Sequence, residues 1–173
     1  RAAIYGDAIN LDLVDARHGM RGQRVQQAWP VRYRESLASD HDFDLVVLSV
    51  AHNRLTEAAE FLAPRLGRAT VLVLSNIWDE PLDAVGALPA EQLAWGFPQA
   101  GGEFDENGVL HGGLLRGIIF GTIDGPPTGR EQTVRQTFRQ AGFRIRGEPH
   151  FRGWLWIHFA ADAGMHSQGL RVG

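Results

Sequence analysis

Three ionisable side chains lie at steps of four residues near the end of the sequence: His158, Asp162 and His166. Residues 151 to about 164 are predicted to form a helix, and this spacing places the three side chains on roughly one of its faces. Imidazole and carboxylate groups there could bind a metal ion or exchange protons. A metal usually needs a further ligand from elsewhere, and Gly164 weakens the helix, so a solvated polar face is the simpler interpretation.

Small and amide residues follow three predicted strands and form a second candidate site. They are Ala51, His52 and Asn53 after the strand that ends at Val50, then Ser75 and Asn76, and then residues 98–102 (PQAGG) after the strand that ends at Phe97. Ligands of open α/β sheets bind beyond the carboxyl ends of the strands, so a cofactor or substrate is expected here. Turns also favour asparagine and glycine for backbone reasons alone, which leaves a purely structural role open.

Two residue types are missing from the sequence, which contains no lysine and no cysteine. The absence of lysine excludes a Schiff-base nucleophile and an ammonium acid. The absence of cysteine excludes disulfides, a thiolate nucleophile and a cysteine-ligated zinc, and it suits a reducing compartment. We therefore expect a cytoplasmic protein.

Charge and hydropathy exclude two classes of partner. The net charge of -3 comes from 17 basic and 20 acidic residues that are interspersed, so no nucleic-acid surface is expected. For the same reason Trp154 and Trp156 are predicted to pack rather than to stack on bases. No apolar run approaches the roughly 20 residues of a membrane helix, and residues 1–20 lack the pattern of a secretory signal, so no membrane association is expected.

The elements that would position these groups centre on residues 44–74. Residues 44–50, DLVVLSV, predict a strand covered on both faces, and residues 70–74, TVLVL, predict a second buried strand. Between them lies a predicted amphipathic helix with Asn53 as its cap and an end near Pro64 and Gly67. A strand, helix and strand in so short a span predict a right-handed βαβ unit and a parallel sheet. The fold class is therefore α/β, with a Rossmann-like, doubly wound and mainly parallel sheet.

The remaining segments supply further strands and helices to this sheet. We predict strands at 9–14, 23–33, 93–97, 109–115, 117–124 and 143–146, and helices at 80–88 and from 128 to about 141. Residues 98–102 are predicted to be a glycine-rich loop. Thr128 and Glu131 match a capping box, and Gly142 would end the helix that they begin.

Seven short motifs in order resemble the ketopantoate reductase family. They are DLVVLSV at 44–50, HNRL at 52–55, VLSN at 73–76, GFPQAGG at 96–102, GTIDG at 121–125, AGF at 141–143 and WLWIH at 154–158. The resemblance implies an N-terminal Rossmann domain, a C-terminal helical domain, and reduction of 2-dehydropantoate with NADPH in pantothenate biosynthesis. It also implies a partial cofactor-binding domain at 1–150 and the start of the helical domain at 151–173. The first βα unit, its G-x-G-x-x-G turn and the ribose-reading residue would lie at or before Arg1.

The resemblance also assigns roles to residues. Asn76 matches an asparagine that helps to hold cofactor or substrate, although Ile77 stands where a glycine is usual. The family's two lysines are replaced by Ala51 and Trp156, so His158 is the nearest proton donor. We thus expect His158 and Asn76 to be catalytic. The cofactor is expected to contact Val50, Ala51, His52, Asn53, Asn76, Phe97, Pro98 and Gly101.

Three functional hypotheses follow from these patterns. The first is an oxidoreductase that uses NADP, with NAD as the alternative, to reduce a 2-keto acid or related small-molecule carbonyl, and a homodimer is compatible with it. The second is a nucleotide-binding relic that has lost its catalytic acid along with the lysines. The third, placed last, is a metal-dependent hydrolase using His158, Asp162 and His166.

Overall fold

A computed structural model describes residues 7–19 and 21–172, so the predictions at Arg1 lie outside the described residues. The chain forms seven strands and four helices within this part. The strands are β1 (Ala8–Asp15), β2 (Gln23–Pro30), β3 (Leu45–Leu48), β4 (Thr70–Val73), β5 (Leu93–Phe104), β6 (Val109–Gly121) and β7 (Arg144–Glu148). The helices are α1 (Leu55–Leu62), α2 (Pro81–Ala84), α3 (Gly129–Gln140) and α4 (Phe151–Val172).

All seven strands belong to one sheet with the order β2-β1-β6-β5-β4-β3, and β7 also pairs with β6. The pairs β3–β4, β4–β5, β1–β6 and β6–β7 are parallel, whereas β1–β2 and β5–β6 are antiparallel. The predicted βαβ unit is present as β3, α1 and β4. The α/β, Rossmann-like and mainly parallel sheet is therefore confirmed.

Helices cover both faces of the sheet. On one face, Val71 and Val73 of β4 pack in a core that includes residues of α1 and the first turns of α4. On the other face, Leu72 of β4 packs with Phe120 of β6 and Val134 of α3. This arrangement confirms the doubly wound fold. None of the helices in the described residues has a stretch long and apolar enough to span a bilayer.

The start of the βαβ unit differs from the prediction in two respects. Val47 of β3 is 47% exposed, so the strand is not covered on both faces. The reason is its place at the end of the strand order, with α1 packed on one face. Asn53 is not the helix cap, because the Arg54 N–H donates to the Ala51 carbonyl and closes a 3₁₀ turn that already contains Asn53.

The predicted glycine-rich loop is also wrong, since residues 98–102 belong to the long strand β5. Gly102 lies directly opposite Gly112 of β6, and a Cβ atom at Gly102 would stand 2.5 Å from the His111 carbonyl oxygen. These two glycines therefore permit a close approach of two strands. The register shifts between Pro98 and Ala100, which marks a bulge beside the predicted site.

The two strands predicted at 109–115 and 117–124 are a single strand, β6. Its first half pairs with β1 as far as Leu114, and its second half pairs with β7 from Gly117 onward. The sequence predicted that one strand ends and another begins at Arg116. In the structure the strand continues there, and only the strand that pairs with it changes.

The start of α3 follows the predicted capping box. The Glu131 N–H donates to Thr128 Oγ1 at 3.2 Å, and the Thr128 N–H donates to Glu131 Oε2 at 2.7 Å. Burial raises the pKa of Glu131, because its carboxylate is desolvated inside the fold. Gly142, with a φ of +88°, follows the end of the helix as predicted.

Candidate functional site

Helix α4 lies across the carboxyl ends of β3 and β4 and across the middle of β5. Its Phe159 ring is 5.9 Å from the ring of His52, which follows β3. Its Asp162 accepts a hydrogen bond from Asn76, which follows β4. Its Trp154 ring is 5.2 Å from Phe97 of β5. One helix thus brings together the three places where the sequence predicted ligand-binding residues.

The position of α4 is fixed by its first turns. Phe151 and Leu155 are each 1% exposed and belong to the main core. Phe151 packs directly on Gly121, the last residue of β6, and any Cβ atom at Gly121 would overlap the Phe151 side chain. The glycine therefore lets the helix approach the sheet closely.

A cavity of about 380 Å³ lies between α4 and the β5–β6 hairpin, within the size range of small-molecule sites. Its lining residues come from three elements. They are Phe97, Pro98, Gln99, Ala100 and Gly101 of β5, Leu115 and Ile119 of β6, and Trp154, His158 and Asp162 of α4. Among these described residues, His158 and Asp162 are the two with ionisable side chains.

His158 and Asp162 form a close pair, and Asp162 is in turn hydrogen-bonded to Asn76. His158 Nε2 is 3.3 Å from Asp162 Oδ2, one helical turn away. The same carboxylate oxygen accepts a hydrogen bond from Asn76 Nδ2 at 2.8 Å. Asn76 Oδ1 is buried and has no hydrogen-bond partner among the described residues. The carboxylate is thus held from two sides, and one amide oxygen remains available as an acceptor.

Two aromatic rings hold the imidazole of His158 in place. The Trp154 ring stacks on it at a centroid distance of 4.8 Å and an interplanar angle of 10°. The Phe97 ring meets it edge to face at 4.3 Å and 72°. Since Nε2 faces Asp162, Nδ1 is the ring nitrogen left for a ligand. An imidazole with a neighbouring carboxylate can donate a proton to a bound molecule, and the carboxylate stabilises the imidazolium form.

The residues predicted after β3 lie beside this cavity without lining it. Ala51 and Asn53 are exposed, and Val50 is half-buried. The Val50 N–H donates to Ser75 Oγ at 3.4 Å, which ties the end of β3 to the end of β4. His52 Nε2 is 3.3 Å from Asp79 Oδ2.

Asn76 also stands behind the cavity wall, with Asp162 between it and the cavity. Of the predicted site residues, Phe97, Pro98, Gly101 and His158 do line the cavity. The structure therefore separates the predicted residues into a cavity group and a group at the ends of β3 and β4.

The resemblance implies a lysine at two positions, and at one of them, residue 156, a tryptophan makes a structural contact instead. Trp156 Nε1 donates to the Asp79 carbonyl oxygen at 3.2 Å, which ties α4 to the segment after β4. The other position, Ala51, accepts the Arg54 N–H and begins a 3₁₀ turn. Neither position supplies a proton donor to the cavity.

The metal interpretation gains no support from the described side chains. They include no group of three histidine, aspartate or glutamate side chains close enough to share an ion. The third residue of that hypothesis, His166, has a side chain outside the described part of the chain.

Several lining residues were not among the predicted site residues. Leu115 and Ile119 reach the cavity only through the pairing of β6 with β5, which sequence periodicity does not specify. Asp162 was predicted to share a helix face with His158, where the two could bind a metal or exchange protons, and that spacing identifies the pair seen here. Trp154 packs as predicted, stacked on Phe151, and it lines the cavity as well.

No protein-family model matches the chain, and no curated protein sequence matches it. Several solved structures do match the chain. A structure assigned to the ketopantoate reductases, from Ralstonia solanacearum MolK2, has a TM-score of 0.68 and 19% identity over 90% of this chain and 52% of its own. A ketopantoate reductase of the PanE/ApbA family from Ralstonia eutropha JMP134 has a TM-score of 0.62 and 22% identity over 86% and 46%.

A third match is D-mandelate dehydrogenase in a ternary structure with NADH and anilino(oxo)acetate, with a TM-score of 0.55 and 14% identity over 81% of this chain and 43% of its own. The chain spans about half the length of these proteins. Identities of this size establish shared architecture, and the resemblance seen in the sequence is consistent with that architecture. The chain has the fold of the ketopantoate reductases.

Proposed function

We propose that the protein is an NAD(P)H-dependent oxidoreductase that resembles ketopantoate reductase and reduces a 2-keto acid or a related carbonyl compound. The observation that carries this proposal is the His158–Asp162 pair, which lines a cavity between α4 and the β5–β6 hairpin and contacts Asn76 at the carboxyl end of β4. The match to D-mandelate dehydrogenase with bound NADH supports the class of cofactor. The sequence resemblance favours NADP, and NAD is the alternative.

The residues at the ends of β3 and β4 fit the cofactor's side of such a site. Ala51 and Asn53 are exposed there and can approach a ligand. Asn76 stands behind them and holds the Asp162 carboxylate through its amide N–H. When bound, the cofactor would supply the hydride that adds to the carbonyl carbon.

The chain's own contribution is the proton that the carbonyl oxygen takes up. His158 would donate it from Nδ1, while its Nε2 lies 3.3 Å from Asp162 Oδ2. Asn76 orients that carboxylate through its amide N–H. Phe97 and Trp154 pack on two sides of the imidazole ring and keep it in one orientation.

We also propose a domain organisation and a cellular location for the protein. Residues 1–150 are proposed to be the partial cofactor-binding domain and residues 151–173 the start of a helical domain, as the sequence resemblance implies. A cytoplasmic protein with a small-molecule substrate fits this proposal, and a homodimer is compatible with it.

The test combines cofactor binding with turnover. Titration with NADPH and with NADH, followed by tryptophan fluorescence, should show saturable binding, and NADPH should be consumed when a panel of 2-keto acids and ketones is added. We expect His158→Ala and His158→Gln to lower kcat about 10²- to 10⁴-fold, because each removes the proton donor. Their affinity for NADPH should stay within about twofold of wild type, since His158 acts on the carbonyl.

The matched control is His150→Gln, which changes an exposed histidine just before α4. It should retain wild-type turnover. Failure of either dinucleotide to bind would contradict the proposal, as would full activity in both His158 variants.

The nucleotide-binding relic is the second candidate, and one observation favours it. Both lysine positions of the family lack an amine here, and Trp156 is engaged in a structural hydrogen bond. Saturable NADPH binding without turnover of any carbonyl in the panel would support this candidate over the reductase.

A further inference from the structure

Gln99 lies where the pairing of β5 with β6 is irregular. The register shifts on either side of this residue, which alone stands opposite residues 115–117 of β6. Irregular pairing of this kind re-aims side chains and is common beside active sites. Gln99 lines the cavity that contains His158, so the irregularity lies within the candidate site.

The side chain of Gln99 is close to His158 across this cavity. Phe97 lies two residues before Gln99 on β5, so the two side chains point to the same face of the sheet, which is the face that α4 covers. Two residues of a strand span roughly 7 Å. The Phe97 ring is 4.3 Å from the His158 ring. A ligand only a few atoms long can therefore contact both Gln99 and His158.

Gly117 of β6 makes room for the Gln99 side chain. A Cβ atom at Gly117 would overlap Gln99 Oε1, so the carboxamide lies directly over the glycine. Gly117 has no positive φ, which means that the backbone itself does not demand glycine there. Leu115 and Ile119, on the same face of β6, line the cavity on either side of this place. The carboxamide thus lies in a gap between two apolar side chains.

The hydrogen-bonding groups of Gln99 are free to bind a ligand. Among the described lining residues, Gln99 carries the one side-chain amide, and it makes no side-chain hydrogen bond with another described residue. The side chain is also exposed, so a ligand in the cavity can reach it. An amide N–H can donate to a hydroxyl or carboxylate oxygen, and the hydrogen bond to a carboxylate is the stronger of the two.

We infer that Gln99 binds the oxygen-bearing group next to the carbonyl of the substrate, such as the carboxylate of a 2-keto acid, while the carbonyl lies beside His158. This inference rests on the proposed function, because it assigns a substrate-binding residue to the same site. Gly117 then serves recognition, since the missing side chain gives the Gln99 carboxamide its place.

Binding of two matched ligands to the chain without cofactor tests the inference, with affinities taken from NMR titrations. Benzoylformate is a 2-keto acid, and acetophenone has a methyl group in place of its carboxylate. Gln99→Met keeps the length of the side chain and removes the amide. We expect it to lower the affinity for benzoylformate about fivefold or more and to leave the weaker binding of acetophenone unchanged.

Three results would overturn the inference. They are an equal loss of affinity for both ligands in Gln99→Met, an unchanged affinity for benzoylformate, and no binding of benzoylformate to the wild-type chain at millimolar concentration. The control is Gln140→Met, which removes the amide of an exposed glutamine at the end of α3 and should change neither affinity.

Gly117→Ala provides an independent test, because the added methyl group displaces the carboxamide from its place. It should lower the affinity for benzoylformate as much as Gln99→Met does, and the double variant should lose no more than either single variant. Additive losses would show that the two residues act separately and would overturn the inference. Since NADPH binding is measured separately, failure here would leave the proposed oxidoreductase function standing.

Discussion

His158 owes its position to residues from two elements. The carboxylate of Asp162 and the ring of Trp154 lie on its own helix, and the ring of Phe97 comes from β5. Asn76 acts one step further away, because its amide holds the carboxylate that contacts the imidazole. A proton donor fixed in this way needs little rearrangement before it reacts.

Asp162 positions His158, so its replacement should lower kcat and leave KM nearly unchanged. In Asp162→Asn the imidazole loses the carboxylate that lies 3.3 Å from its Nε2, and a partly exposed ion pair contributes about 1 kcal/mol, so we expect kcat to fall roughly fivefold. The KM for an uncharged carbonyl should change little, because Asp162 acts through His158. Steady-state kinetics measures both constants.

The control for this variant is Asp83→Asn, an exposed residue on α2, which should leave kcat unchanged. Circular dichroism and thermal unfolding check that both proteins fold. A large rise in KM with an unchanged kcat in Asp162→Asn would mean that the carboxylate binds the carbonyl compound directly.

Among the helices and strands, α4 is the element that completes the candidate site. Its first turns are buried at Phe151 and Leu155, and its later turns carry His158 and Asp162 over the ends of the strands. The helix continues past Gly164 to Val172, beyond the predicted end. A single glycine costs a helix about 1 kcal/mol, which does not break one of 22 residues.

The close packing of α4 on β6 depends on Gly121. We expect Gly121→Ala to lower the free energy of unfolding by about 1–3 kcal/mol, because the added methyl group overlaps the Phe151 side chain. Any shift of α4 that relieves the overlap also moves His158, so kcat should fall as well. Urea denaturation and turnover measure the two effects.

Gly147→Ala on β7 is the matched control, because a Cβ atom there meets no atom within 4 Å. Its free energy of unfolding should stay within about 0.5 kcal/mol of wild type. A Gly121→Ala protein as stable and active as this control would show that α4 does not depend on the close contact.

At the scale of the whole molecule, the sequence predicted those features that depend on local pattern. The aliphatic runs at 44–50 and 70–74 predicted β3 and β4, and Thr128 with Glu131 predicted the start of α3. The local sequence of these segments is enough to predict their structure, since a buried strand needs continuous apolar residues and a capping box needs fixed spacing.

Features that depend on distant pairing were predicted wrongly or not at all. Residues 98–102 look like a loop because they are rich in glycine, yet β6 pairs with them throughout most of their length. The hydrogen bond from Asn76 to Asp162 joins residues 86 positions apart, and it forms only because α4 crosses β4. No local pattern encodes such a contact, so the sequence predicted His158 and Asn76 separately and not their connection through Asp162.

We expect a nicotinamide dinucleotide to bind where α4 crosses the carboxyl ends of β3 and β4 and the middle of β5. Backbone amide chemical shifts, recorded by NMR during titration of the protein with NADPH, test it most directly. The account predicts saturable changes concentrated at residues 50–53, 75–76 and 97–101 and near His158. Changes confined to the opposite face around α3, or no changes at millimolar NADPH, would contradict it.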